Sequence, residues 1–246
     1  MIDACISLKE NYKDWEHLFH IAKPGCFLIA LSNHRTTCEI EDAGWEIRDS
    51  IILITSKKNY IFVMAMKPTE GTFVENARKW GVAGLNIDGC RIEYKSEKDK
   101  ASATPQGICR SKPSGSLAAE PVAGRELERN EFERPELKGR FPSNLILMHN
   151  NCENKCNENC PVFRLDKQTG ILKSGDNNVR KKDAIHSYHG GHTGNFAAGA
   201  PQVSYGDEGG ASRFFYCAKD WKDFLNYIRE MVSYPNERNI LVIGDL

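Results

Sequence analysis

The sequence has no long hydrophobic run, no leader-like N-terminus and no net charge. No window approaches the roughly 20 apolar residues that a membrane-spanning helix needs. Charged side chains between Lys9 and Asp14 interrupt the first apolar stretch, which is unlike a secretory signal. The 33 basic residues balance 33 acidic ones, so nucleic acid would have to be held by local clusters such as residues 180–182. We expect a cytoplasmic protein that does not associate with membranes.

Cysteine, by contrast, is plentiful, with nine residues in 246. Because nothing at the N-terminus indicates secretion, the thiols are expected to be reduced rather than paired in disulfides. Their function, if they have one, is then metal binding or packing.

Residues 1–95 alternate between helical and strand patterns. Helices are predicted at 14–22 and 36–43, and strands at 26–31, 45–54 and 60–66. Lys23-Pro24-Gly25 is expected to stop the first helix, and Gly44 to cap the second. Strands separated by helices of this length favour a parallel or mixed sheet covered on both faces.

The composition changes after this first part. Residues 96–139 are rich in Lys, Glu, Ser, Pro and Gly, which predicts a flexible, disordered insert. Residues 140–212 are expected to form a cysteine- and glycine-rich excursion. Residues 213–246 are expected to complete the sheet, with a strand at 213–218, a helix at 222–232 and a strand at 240–243. No internal repeat is present.

Seven sequence blocks follow one another in an order known from a family of enzymes. They are AKPGCFLIAL (22–31), IEDAGWEIRD (40–49), EGTFVEN (70–76), GLNIDGCRI (84–92), GRFPSNL (139–145), CPVFRLDKQTG (160–170) and YGDEGGASRFFYCAK (205–219). Together they resemble the DNA amino-methyltransferases that modify adenine N6 or cytosine N4 and carry the catalytic motif before the cofactor motif. Phage and prophage members, in the setting of restriction-modification, are the most similar. The resemblance implies a three-layer, methyltransferase-like (Rossmann-type) α/β sheet in reduced form, with S-adenosylmethionine as cofactor and DNA as substrate.

The catalytic turn of that family does not match. Its members place Asp/Asn-Pro-Pro-Tyr/Phe after a strand, where polar groups accept hydrogen bonds from the target amino group and the ring stacks on a flipped base. Here residues 2–7 resemble the strand, and the turn positions hold Leu8, Lys9, Glu10 and Asn11. Leu8 accepts no hydrogen bond and neither proline is present. A shifted alignment that makes Asn11-Tyr12 a remnant remains open, but it also lacks both prolines.

The cofactor side is reduced as well. The family has a His-Pro-Thr-Val-Lys-Pro-like segment after the strand that ends here at Lys219, and a glycine-rich Asp-Pro-Phe-x-Gly-Ser-Gly turn after its last strand. Here Lys219 runs almost directly into Trp221, and Gly244 is the remnant of the turn. The stretch 55–59 is shorter than the family's target-recognition region.

These losses together predict a non-catalytic descendant that binds DNA or a protein partner and does not bind S-adenosylmethionine. The alternative is an S-adenosylmethionine-dependent DNA methyltransferase that acts through unusual residues, or with a partner chain that supplies the missing motifs.

A candidate metal site lies outside the resemblance. His149, Cys152, Cys156 and Cys160 are spaced three, four and four residues apart, and one imidazole with three thiolates is a tetrahedral zinc set. Cys217 is a candidate to replace one of these four ligands. The alternative is a polar loop with reduced thiols, which the surrounding asparagines favour.

Three further features have two interpretations each. His186, His189 and His192 either bind metal or phosphate or belong to a surface loop. Residues 207–213 lie near the active cleft by resemblance, or form a glycine turn in which Arg213 pairs with a carboxylate. Residues 214–216 are expected to be core strand.

Four basic residues outside the tripeptide 180–182 are also candidates for DNA contacts. Lys57, Lys58, Arg78 and Lys79 follow a phosphate backbone, or they are simply a solvated basic face. The neutral charge of the chain favours the second interpretation.

Overall fold

The computed structural model describes residues 1–9, 11–94, 99, 138–153, 155–173, 184–186, 194–196, 208–233 and 239–244. The chain divides into two compact units, one made of 1–95, 138–173 and 208–246, the other of 96–137 and 174–207. In chain order the described elements are β1 (Ile2–Ser7), α1 (Trp15–Ile21), β2 (Ala22–Leu31), α2 (His34–Asp42), β3 (Glu46–Ile54), β4 (Asn59–Met66), α3 (Phe73–Trp80), β5 (Leu145–Met148), α4 (Pro161–Thr169), β6 (Leu172–Lys173), β7 (Ala184–His186), β8 (Gly194–Phe196), β9 (Glu208–Gly209), a 3-10 helix (Ala211–Phe214), β10 (Tyr216–Ala218), α5 (Trp221–Met231) and β11 (Ile240–Ile243).

The first unit is built on a seven-stranded mixed sheet in the order β10-β5-β3-β4-β2-β1-β11. In this sheet only β4 is antiparallel to its neighbours, β2 and β3. The other six strands run in one direction, so their last residues lie at one end of the sheet, which we call the carboxyl end. A four-residue connection from Thr55 to Lys58 joins β3 to β4, which is short enough only for antiparallel neighbours.

One face of the sheet packs against α5. Phe224 of this helix is 1% exposed, and its ring lies 5.1 Å from that of Phe62 on β4. Alternate residues of the strands, such as Ala4 and Ile6 of β1, face the same cluster because side chains along a strand alternate between the two faces.

The opposite face packs against α1 and α2. Its cluster contains Trp15 and Leu18 of α1, Ile40 of α2, and Trp45 just before β3. The indole nitrogen of Trp45 donates to the carbonyl of Trp15 at 3.2 Å. Helices on both faces of a mixed sheet confirm the predicted three-layer α/β fold.

The prediction of a strand at 213–218 is wrong for its first half. Residues 211–214 form the 3-10 helix and the strand starts only at Tyr216. Phe214 is 39% exposed rather than part of a core strand. The turn is held because Ser212 donates from its backbone nitrogen and its hydroxyl to the carboxylate of Asp166, at 2.8 and 2.7 Å.

Strand β2 starts four residues before its predicted beginning. Lys23-Pro24-Gly25 therefore lies inside the strand instead of only ending the helix. Gly25 has a φ of +78°, and a Cβ there would lie 2.5 Å from Asn76 Nδ2. Helices α3 and α4 were not predicted, although α3 begins with a capping box between Thr72 and Glu75.

The expected insert, 96–139, lies outside the described residues except for 99, 138 and 139. Strand β5, inside the sheet, falls within the range 140–212 that was expected to form an excursion. In the part of the chain that is described, no helix has the length and apolar character needed to cross a membrane.

Candidate metal centre and the carboxyl end of the sheet

The residues expected at the catalytic turn and at the cofactor turn are neighbours. Strands β1 and β11 are parallel and adjacent, and the backbone nitrogen of Leu8 donates to the carbonyl of Ile243 at 2.8 Å. A Cβ placed on Gly244 would lie 3.0 Å from Lys9 Cγ and 3.5 Å from Leu8 Cβ. In open α/β sheets ligands bind just beyond such carboxyl ends, so this is where a methyltransferase-like site would lie.

The side chains at this place are not arranged for amino-group chemistry. Leu8 is half-buried against the cluster below α5, whereas Lys9 and Asn11 are exposed. Tyr12 packs edge-to-face on Trp15, with ring centroids 4.7 Å apart. Burial, and then the charges of Asp14 and Cys5, raise the pKa of Tyr12. Glu10 lies outside the described residues.

Aromatic and basic side chains do collect at the carboxyl end. Tyr60 of β4 and Trp221 of α5 meet edge-to-face at 4.9 Å, and Lys58 Nζ lies 4.5 Å from the centre of the Tyr60 ring. The exposed lysines at this end are Lys9, Lys57, Lys58, Lys219 and Lys222. Sequence reasoning missed Tyr60 and Trp221 because each fits the apolar pattern of its own element.

Arg78 and Lys79 lie at the other end of the sheet. Both are on α3, which is fixed at the start of β2 because Asn76 donates to the carbonyl of Pro24 at 3.0 Å. Lys79 pairs with Glu70, and this contact together with Trp80 lowers the pKa of the Glu70 carboxyl. Lys57 and Lys58 are at the opposite end of strands roughly 26–33 Å long, so the four basic residues do not form one track.

The predicted metal ligands, in contrast, come together. The ligand atoms of His149, Cys152, Cys156 and Cys160 all lie within 4.8 Å of one another. His149 Nδ1 is 3.4 Å from Cys156 Sγ and 3.5 Å from Cys160 Sγ. His149 directly follows β5, and Cys160 directly precedes α4, so the centre joins these two elements.

These distances fit a tetrahedral metal site. Zinc bonds of about 2.3 Å to sulfur and about 2.0 Å to nitrogen place the two ligand atoms about 3.5 Å apart at a tetrahedral angle. The two observed sulfur–nitrogen distances match this value. Three thiols and one imidazole are the soft donor set typical of structural zinc sites.

The thiols also influence one another. Burial raises the pKa of Cys156 to about 12, and Cys160 and Cys152 contribute to this rise. The pKa of Cys152 is lowered although burial opposes this, because hydrogen bonds with Asn157, Cys160 and Asn150 favour its thiolate. A dication between the thiolates offsets their mutual repulsion.

The loop around the centre is held by an asparagine. Asn157 Nδ2 donates to the carbonyl of Asn150 at 2.7 Å, and the backbone carbonyl of Asn157 accepts from the nitrogen of Cys160 at 3.0 Å. Cys217 packs nearby but lies outside the four-ligand group. Its thiol donates to the carbonyls of Phe215, at 3.5 Å, and Ser212, at 3.7 Å.

A cavity of about 760 Å³ lies beside the centre. Its lining includes His149 and Cys217 on one side and the stacked rings of Tyr216 and Tyr227, 3.7 Å apart, on the other. Burial raises the pKa of both tyrosines. No sequence pattern indicated this cavity, because its lining comes from segments far apart in the chain.

The remaining candidates do not build a site among the described residues. His186 ends β7 and is paired through its backbone with Gly194, while His189 and His192 lie outside those residues. The guanidinium of Arg213 donates to the carbonyls of Gly209 and Gly210, which agrees with a glycine turn.

Comparisons with known proteins add little to this geometry. No protein family matches the sequence, and no curated protein does. Among solved structures, the chain is similar to the crystal structure of the M1.HpyAVI–SAM complex, with 16% identity, a TM-score of 0.24, and coverage of 28% of this chain and 45% of that one. A TM-score this low carries no argument about function.

Proposed function

We propose that this chain is a non-catalytic descendant of site-specific DNA methyltransferases that binds DNA at the carboxyl end of its sheet. S-adenosylmethionine is not its cofactor, and its metal is zinc held by His149, Cys152, Cys156 and Cys160. The protein acts as a binding scaffold and transfers no methyl group.

The observation that carries the loss of catalysis is the packing at the ends of β1 and β11. Amino-group methylation needs a hydrogen-bond acceptor and an aromatic face beside the flipped base. At this place Leu8 is packed on the core and Tyr12 on Trp15. Gly244, the remnant of the cofactor turn, lies beside Lys9.

DNA binding is supported by the lysines and aromatic rings at the same end. Lysines neutralise phosphates without reading sequence, and they give most of the non-specific affinity for DNA. Tyr60 and Trp221 are half-buried in edge-to-face contact at this end. A base that stacks on the exposed part of such a ring gains about 1–3 kcal/mol. The chain is neutral overall, but the exposed lysines named above are all at the end of the sheet where such a ligand would bind.

Cofactor binding and methyl transfer test the first part of the proposal. We expect no heat of S-adenosylmethionine binding by calorimetry and no label transferred from it to DNA. Micromolar affinity for S-adenosylmethionine would overturn the proposal in favour of the alternative, a methyltransferase with unusual residues or a partner chain. Transfer that persists after Asn11 and Tyr12 are both changed to Ala would show that the chemistry does not use this turn.

DNA binding is tested by fluorescence anisotropy with labelled duplex and single strands over a range of salt concentrations. The double variant Lys57→Glu/Lys58→Glu should weaken binding and reduce the salt slope by about one for each phosphate that is no longer neutralised. Arg78→Glu/Lys79→Glu makes the same change of charge at the opposite end and should have a much smaller effect. Equal effects, or no binding by the wild type, would contradict this interface and favour a protein partner instead.

The zinc assignment has its own measurement. Protein purified without chelators should contain about one equivalent of zinc by elemental analysis, whereas less than about half an equivalent would contradict the assignment.

A further inference from the structure

We infer that metal binding folds the segment from His149 to Thr169 onto the sheet, so that this segment is ordered only in the metal-bound protein. The inference rests on the zinc assignment of the proposed function, but not on DNA binding or on the loss of catalysis.

The segment has few fully buried apolar residues. The cluster beneath it has three buried residues among those described, Leu147, Cys160 and Val162, while Phe163, Leu165 and Phe215 pack against it and are only partly buried. One of the three is itself a metal ligand, and one belongs to the sheet. The two larger clusters of this unit do not extend to the segment, so the hydrophobic effect gives it little stability.

The loop between the ligands is polar. The ten residues between His149 and Cys160 are five asparagines, two glutamates, two cysteines and one lysine. Ordering each residue costs about as much as one or two hydrogen bonds return. Among the described residues of the loop, the hydrogen bonds run mainly through Asn150 and Asn157.

Helix α4 does not compensate for this. It has nine residues, and its N-cap, Cys160, makes no hydrogen bond from its side chain to the first turn. Helices of this length are marginal on their own. Coordination of Cys160 by the metal would fix the start of the helix in place of the missing cap.

Helix α4 in turn holds the 3-10 helix. Ser212 donates two hydrogen bonds to Asp166 of α4, and a Cβ on Gly210 would collide with the Asp166 carboxylate. Loss of the metal should therefore loosen residues 208–214 as well as α4, while β1 and β2 at the far side of the sheet keep their structure.

Hydrogen exchange followed by mass spectrometry tests the inference on the full chain. Zinc is removed with a chelator, and exchange is compared before removal, after removal and after zinc is added back. Amides of 162–169 and 208–214 should exchange about tenfold faster or more without zinc and recover with it, whereas amides of 26–31 should not change. Magnesium, which prefers oxygen ligands, should not restore protection.

Three variants separate coordination from side effects of mutation. Cys156→Ser should lose zinc and show fast exchange in α4. Cys156→His keeps a ligand atom and should retain both zinc and protection. Cys38→Ser, which changes an exposed thiol on α2, should behave as wild type. Unchanged exchange of α4 in zinc-free protein would overturn the coupling between zinc binding and folding of the segment, but not the zinc assignment. Absence of zinc from the wild type would overturn both. Neither outcome affects the tests of catalysis or DNA binding.

Discussion

Gly244 has a backbone conformation that suits glycine, and it lies against the turn after β1. Its φ is +99°, and an added Cβ would meet Lys9 Cγ at 3.0 Å. Gly81, with a φ of +73°, has nothing within 4 Å of an added Cβ. Gly244→Ala should therefore lower the free energy of unfolding by more than Gly81→Ala, which carries only the backbone cost of about 1–2 kcal/mol. Urea unfolding of both variants measures the difference.

Equal losses of unfolding free energy in Gly244→Ala and Gly81→Ala would show that the Lys9 side chain moves away freely. The ends of β1 and β11 would then not be closely packed, and the proposed loss of the cofactor turn would lose its structural support.

Cys217 distinguishes the four-ligand set from the larger group of cysteines around it. Since its Sγ contacts backbone carbonyls and lies outside the group of four, Cys217→Ser should keep the full zinc content by elemental analysis. Cys160→Ser should lose most of it. A loss of zinc in Cys217→Ser similar to that in Cys160→Ser would mean that Cys217 is a ligand.

The metal ligands could be predicted from the sequence because their spacing is local and their chemistry is specific. His149 and the three cysteines fall within twelve residues. The contact of Gly244 with Lys9 could not be predicted, since it depends on the pairing of two strands separated by more than 200 positions.

Helix α3 depends on its first turn. The hydroxyl of Thr72 accepts from the nitrogen of Glu75, and the Glu75 carboxylate accepts from the nitrogen and hydroxyl of Thr72. Thr72→Ala should cost about 1 kcal/mol of unfolding free energy, while Thr72→Ser should be close to wild type because serine caps equally well. Chemical denaturation monitored by circular dichroism measures both.

The same cap makes part of this stability depend on pH. The hydrogen bonds from Thr72 lower the pKa of the Glu75 carboxyl in the folded protein. A lowered folded pKa gives stability that is present above the unfolded pKa and is lost as the pH falls through the folded value. Thr72→Ala removes the hydroxyl bond and keeps the backbone one, so the difference between wild type and this variant should shrink in part in acid. A difference that grows as the pH falls would contradict the role of Glu75.

Elements with clear periodicity were predicted closely. The terminal strand was predicted at 240–243 and is found there, and the last helix differs from its prediction by one residue at each end. The strand at 213–218 was predicted wrongly because its apolar run, Phe214 to Tyr216, resembles a strand, whereas the hydrogen bonds from Ser212 to a distant helix decide the local structure.

At the scale of the whole molecule, the α/β class followed from the alternation of patterns in residues 1–95. The order of the strands did not, because β5 and β10 come from late in the chain and extend the sheet beyond β3. Long-range pairings of this kind leave no periodic signal in the sequence. The part of the fold that could be predicted is therefore the part with short connections.

The centre of the sheet and the metal centre should contribute independently to stability. Phe224 packs on Phe62 and Trp221 and is 1% exposed, so Phe224→Ala should lower the unfolding free energy by about 3–5 kcal/mol. The control Phe141→Ala, at a residue that is 68% exposed, should lower the unfolding free energy by less than about 0.5 kcal/mol.

Phe224 is not part of the cluster below the metal centre. The free-energy cost of Phe224→Ala should therefore be the same in zinc-bound and zinc-free protein to within about 0.5 kcal/mol. A cost that differs between the two forms by more than about 1 kcal/mol would mean that Phe224 and the metal centre are energetically coupled.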